Sequence, residues 1–188
     1  MNGNGLKSII EKITSVFAKN EPDPVVTNSK AYKKIIIDSL SLLLKPLGYK
    51  RKGNVFTFAI NDLTYYLSLQ SSQSSTAQRL KMTINIEMSS LRLDPFRDER
   101  LPQSANRIYW ERIGTYSDDK TDKWWIINNV DEAKLASEEI CNLLKSKVLV
   151  QIGLFKSTDD LIAFWKEGKC RGMTDFQRKY YLELLETR

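Results

Sequence analysis

The sequence predicts an α+β fold, an antiparallel meander sheet of four to five strands with helices before and after it, packed mainly on one face. Three observations carry that expectation. Apolar residues alternate with period two in three consecutive segments between Val55 and Met88. Segments before and after them repeat apolar residues at helical spacing. The strand segments also run together, whereas an α/β chain alternates strand with helix.

The first helix of the sheet domain is marked by Tyr32, Ile36, Leu40, Leu43 and Leu47. Asn28 or Ser29 can cap it, a feature worth about 1 kcal/mol. Pro46 and Gly48 end it. NVFTFAI then sets Phe56, Phe58 and Ile60 against Val55, Thr57 and Ala59. LTYYLSLQ sets Leu63, Tyr65, Leu67 and Leu69 against Thr64, Tyr66, Ser68 and Gln70. LKMTINIEM sets Leu80, Met82, Ile84, Ile86 and Met88 against Lys81, Thr83, Asn85 and Glu87. Such alternation implies one buried and one wet face. Asn61-Asp62 is a hairpin signal without the usual Gly. SSQSSTAQ is a polar connection, and LRLDPFRDERLPQSAN reads as a long loop.

RIYWERIGTYS is expected as a fourth strand whose alternation falters near Arg112 to Gly114, as at a bulge. DDKTD makes a turn before the fifth strand, KWWIIN. Helical patterning follows. Asn129 with Glu132 resembles a capping box ahead of Ala136, Ile140, Leu143 and Leu144. VLVQIGLF fits a strand by alternation and a helical turn by its position. Ser157 with Asp160 opens a helix carrying Leu161, Phe164 and Trp165. Thr174 with Gln177 opens a last one carrying Phe176, Tyr180 and Leu184.

Ahead of all this, Leu6 to Ala18 reads as a short amphipathic helix, with Ile9 and Ile13 on one stripe. NEPDPVVTN follows, and its two prolines forbid regular helix. The expected organisation is an arm and linker over residues 1–27 and one α+β domain over residues 28–188.

Trp124 beside Trp125 and Ile126 beside Ile127 place one indole and one isoleucine on each face of the fifth strand. Both faces being apolar, the strand is expected to be central or covered on both sides, with both indoles buried.

Composition excludes several chemistries. The 188 residues contain no histidine. Ser-His-Asp and Cys-His catalysis, His-containing metal sites and the usual neutral-pH proton shuttle are therefore absent. The two cysteines, Cys141 and Cys170, make neither a disulfide framework nor a four-thiolate zinc site. NGNG at the start lacks the preceding strand and the Lys-Ser/Thr of a phosphate loop. DDKTD lacks the Gly and Glu of a calcium loop. No cofactor and no metal are implied. No apolar run approaches the ~18 residues of a membrane span, no secretory signal is read, and a cytoplasmic location is expected.

The net charge of +6 is localised. Residues 30–58 hold Lys30, Lys33, Lys34, Lys45, Lys50, Arg51 and Lys52 against Asp38 alone, while the segments on either side are neutral. Lys30, Lys33 and Lys34 open the first helix, where the dipole disfavours cations by roughly 0.3–1 kcal/mol each. Lys50, Arg51 and Lys52 follow the helix, which spans ~20 Å, so the two clusters are separate patches.

LKPLGYKRKGNVFTF, YYLSLQSSQ, the strand from Arg107 to Tyr116 leading into DKWWIIN, and the tail with STDDLIAFW together resemble the bacterial domain of unknown function family 4304, over roughly residues 28–168. The resemblance implies an α+β fold and assigns no activity and no functional residue.

The functional expectation is a non-catalytic module that binds a macromolecule, a protein first of all. Tyr66 and Lys81 on the wet sheet face, taken as neighbours, and Trp124 and Trp125 are the candidate partner-binding residues, because Trp, Tyr and Arg concentrate interface energy. The alternative is a nucleic-acid binder using Lys30, Lys33, Lys34, Lys50, Arg51 and Lys52. A third reading is an enzyme using carboxylates, with Glu87 approached by Glu111, or a small-molecule pocket.

Overall fold

The computed structural model describes residues 28–96, 107–169 and 173–186. The expected N-terminal arm and its linker lie outside the described residues, as does Cys170. The rest is α+β. Helix α1 (Ser29–Leu44) precedes a six-stranded antiparallel sheet of β1 (Lys50–Lys52), β2 (Val55–Ile60), β3 (Leu63–Ser71), β4 (Leu80–Ser90), β5 (Tyr109–Arg112) and β6 (Trp125–Ile127). Helices α2 (Val130–Leu143), α3 (Leu149–Ile152), α4 (Thr158–Lys166) and α5 (Asp175–Glu186) follow. No helix among the described residues is long and apolar enough to cross a membrane.

The caps form where the sequence places them. The Asn28 side chain accepts from the backbone N–H of Lys30 and Ala31. Gly48 takes a left-handed φ of 89° after the 3-10 turn Lys45–Leu47. Ser157 and Asp160 close a reciprocal box at α4. Thr174 and Gln177 do the same at α5. Asn129 caps α2, but Glu132 reaches back one residue further than expected, to the N–H of Asn128.

The meander β1 to β5 is sequential, and β6 joins the same flank of β4 as β5 does, further along. β4 is thus the spine of the sheet. Its residues 85–88 pair with β5 and its residues 80–82 with β6. Period-two alternation then sorts the side chains. Leu63, Tyr65, Leu67 and Leu69 of β3 and Leu80, Met82, Ile84, Ile86 and Met88 of β4 are all buried beneath the helices. Burial of each such side chain contributes about 1.5–3 kcal/mol. Tyr32 of α1 joins this core and donates its hydroxyl proton to the carbonyl of Asn128.

Four expectations need correction. Lys50 to Lys52 are an edge strand, closed onto β2 by the two-residue turn Gly53-Asn54. β6 is also an edge strand, so its two faces differ. Trp125 faces Met82 and the core, whereas Ile126 opposite Lys81 is 49% exposed and Trp124 is half-buried. The fourth strand stops at Arg112 and becomes a 3-10 turn, Ile113–Tyr116, with no bulge. Gly114 permits this, because a Cβ there would stand 2.2 Å from the carbonyl oxygen of Thr121. The loop after β4 begins as a 3-10 turn, Leu91–Phe96. The ambiguous VLVQIGLF is helical as far as Ile152, a π turn (Leu144–Val148) running into α3, and ends in a turn at Gly153-Leu154.

Candidate functional site

The sheet face turned away from α1 and α2 is the most distinctive surface among the described residues. The strand register places Thr57, Tyr66, Glu87 and Trp110 in one row across four strands. Ser68, Asn85 and Arg112 form the next row, then Gln70 and Thr83. Lys81 and Ile126 close the series. From the Glu87 row to the Lys81 row is six residues along β4, or roughly 20 Å.

Cations lie over aromatic rings along this face. The Arg107 guanidinium carbon is 3.1 Å from the centre of the Tyr66 ring. Arg112 is 5.5 Å from Trp110 and 5.1 Å from Trp124, and Lys81 is 5.5 Å from Trp124. Such pairs contribute about 0.5–1 kcal/mol when exposed and more when desolvated. Arg112 also pairs with Asp122 at 2.5 Å, and the Trp124 indole donates to the same carboxylate.

Glu87 lies 3.9 Å from Arg107, and both side chains are largely covered. Burial pushes the Glu87 carboxyl above its usual range, against the opposing pull of Arg107 and of the Ser68 hydroxyl. Four side-chain atoms on this face are shielded from water and lack a hydrogen-bond partner: Thr83 Oγ1, Asn85 Oδ1, Arg107 Nε and Arg112 Nε. Each orphan costs about 1–3 kcal/mol relative to a satisfied group. On the opposite side of the sheet the hydroxyls of Tyr65, Tyr109 and Tyr116 are hydrogen-bonded. Tyr65 donates to the carbonyls of Ile152 and Phe155. Tyr109 donates to Glu111 at 2.9 Å and meets the Tyr116 hydroxyl at 2.6 Å.

Beside the face, a cavity of about 590 Å³ opens between β5 and the start of α5. Trp110, Arg112, Asp122, Met173 and Gln177 line it.

The residues singled out from sequence are redistributed. Tyr66, Lys81 and Trp124 do share the open face, but Tyr66 and Lys81 are not neighbours: their rows are the two ends of the series. Lys81 belongs with Trp124 instead. Trp125 leaves the candidate surface, since its ring is in the core and its indole donates to Glu139 at 2.8 Å. Glu87 and Glu111 cannot act as a carboxylate pair. Glu87 pairs across from Trp110 on the open face, while Glu111 pairs with Ile86 on the core side.

The basic clusters also diverge. Lys33 donates to Ser71, and burial lowers its pKa. Lys34 pairs with Asp38 at 2.6 Å. Lys30, exposed, shares their end of α1, while Lys50, Arg51 and Lys52 lie exposed on β1 at the far edge of the sheet.

The model of the family described as Domain of unknown function (DUF4304) matches residues 40–152, more than half of the chain. The chain belongs to the DUF4304 family. No curated protein and no solved structure matches it significantly. The DUF4304 match contains all six strands, and with them every open-face residue named above. It leaves α4 and α5 outside, and so the α5 wall of the cavity.

Sequence reasoning missed Arg107, Trp110 and Arg112 as members of this DUF4304 face. The signal was weak because both parities of β5 carry an aromatic residue: Tyr109 and Glu111 on one side, Trp110 and Arg112 on the other. Only pairing with β4 separates them.

Proposed function

We propose that the protein is a non-catalytic interaction module that grips a protein partner with the open face of its sheet. The observation that carries this reading is the cluster of four shielded, unpartnered polar atoms beside the 42% exposed Trp110. Their desolvation is an unrecovered cost in the free chain, and a partner whose docking moves the side chains that cover them would offset it with complementary groups. Arg112 Nε calls for an acceptor such as a carbonyl or carboxylate, and Asn85 Oδ1 calls for a donor, while Arg107 Nε already has the Glu87 carboxylate 3.9 Å away. Exposed Trp110 and Ile126 at the two ends of the patch supply the apolar contact that excludes water around such bonds.

The test is affinity capture of the tagged chain from lysate of its own source, with nuclease present, comparing wild type with Trp110→Ala/Arg112→Ala. A stoichiometric protein retained by wild type and lost by the double variant supports the reading. Capture that the double variant leaves intact, or that nuclease abolishes, overturns it.

A further inference from the structure

We propose a second interaction surface, independent of the open face: a groove between α1 and β1 that takes an acidic, extended peptide as an added strand. β1 is one free edge of the sheet among the described residues, and all three of its residues, Lys50, Arg51 and Lys52, are exposed. Among the described residues, no backbone group of β1 hydrogen-bonds outside its ladder with β2. The strand therefore offers unpaired N–H and C=O groups along its outer edge, the template that strand addition uses.

That edge has a wall. Asp38, Ser41 and Lys45 recur at i, i+3 and i+7 on α1 and the turn that continues it, and they face β1 across a groove of about 530 Å³. Tyr49 and Phe56, both buried, form its apolar floor.

Charge selects the occupant. Lys45, Lys50, Arg51 and Lys52 make no ion pair among the described residues. The one acid in the groove, Asp38, is already neutralised by Lys34. A charge or two suffices to keep a sheet edge from pairing with its own kind. Three successive cations with a fourth beside them go further and favour a strand of opposite sign. The remaining charge of the region does not extend the patch into a nucleic-acid track. Lys33 and Lys34 are engaged with Ser71 and Asp38 at the other end of α1, and no exposed aromatic ring lines the groove for base stacking.

The probe is a fluorescent hexapeptide of alternating Val and Glu, titrated into the full chain and followed by anisotropy. Three controls accompany it: the same peptide N-methylated at alternate amides, a Val-Lys hexapeptide, and a single-stranded oligonucleotide. The Val-Glu peptide is expected to bind wild type, to lose tenfold or more affinity to Lys50→Glu/Arg51→Glu, and to be unaffected by Trp110→Ala. N-methylation, which keeps charge and removes ladder bonds, is expected to lose affinity by a similar factor, and the Val-Lys peptide to show no binding. Both variants alter exposed side chains, and their thermal melts establish that they fold. No binding of the Val-Glu peptide at millimolar concentration overturns the proposal. Equal binding of the N-methylated peptide, or tighter binding of the oligonucleotide, overturns it as well by reducing the groove to a generic polyanion patch. Because the open-face variant is a separate arm, failure here leaves the reading of that face untouched, and the reverse also holds.

Discussion

The two faces of β3 and β4 are made by the same backbone and differ in how their polar groups are treated. Beneath the helices, Leu67, Ile84 and Ile86 sit among other apolar side chains, and the hydroxyls that enter this layer, Tyr32, Tyr65 and Tyr109, all find acceptors. On the open face, Arg107 covers Tyr66 beside Glu87 and Arg112 lies between Trp110 and Trp124, with four shielded polar atoms left without hydrogen bonds. The helix-covered side meets most of its polar groups within the chain, the buried Trp165 indole N–H being an exception. The other holds desolvated groups whose bonding is incomplete, which is the mark of a surface shaped for something besides stability.

The largest contrast should come from truncation on the settled face. Ile84→Ala, at a fully buried site, is expected to lose about 2–5 kcal/mol in urea unfolding. A loss below ~1 kcal/mol would mean the core side is as loosely built as the open side. Gly114→Ala attacks the joint that holds the Trp124 segment against β5. Its Cβ would collide with the Thr121 carbonyl and the Lys123 amide, and about 1–3 kcal/mol should be lost. Tryptophan fluorescence in the folded state should shift as well, because Trp124 moves with that segment.

On the open face the balance should invert. Trp110→Ala is expected to change unfolding free energy by less than ~1 kcal/mol, the scale of its contact with Arg112. The same variant should weaken partner capture by tenfold or more, or about 1.4 kcal/mol. A large stability loss without a binding loss would make the face a second core. Thr83→Val replaces an unpartnered buried hydroxyl with a methyl group of the same shape. It should leave the free chain equally stable, or more stable by up to about 1 kcal/mol, while reducing partner affinity.

The smallest effect is a pH dependence. Burial raises the Glu87 pKa in the folded chain, so the folded state holds that proton more tightly than the unfolded state. Its contribution is most favourable below the ordinary glutamate pKa of about 4.3 and is lost as pH rises through the raised folded value. Glu87→Gln should therefore melt higher than wild type at neutral pH, with the difference vanishing in acid. A difference in melting temperature that does not change with pH would assign the effect to the Arg107 contact instead.

Much of the architecture was legible from local rules. The caps at Asn28, Ser157 and Thr174 follow from short polar side chains at helix starts, and the buried parity of β3 and, Thr83 aside, of β4 follows from alternation alone. The sequence also held a signal that went unread. Gly53-Asn54 is a two-residue hairpin turn, and with it Lys50 to Lys52 become a strand.

What the sequence by itself determined is the α+β class, the capped starts of the helices, the absence of histidine chemistry, and the presence of Tyr66 and Lys81 on one polar strand face. Each of these depends on residues near one another along the chain or on the plain count of residue types. Tertiary structure decided which tryptophan is core and which is surface, that Glu87 and Glu111 part company, that Arg107 reaches Tyr66, and that β1 and β6 are edges. Those outcomes depend on which strand pairs with β4 and in which register. Where both parities of a strand carry aromatic or apolar residues, as at Tyr109-Trp110 and Trp124-Trp125, no local hydrophobic difference exists to choose between faces, and only the pairing of distant segments makes the choice.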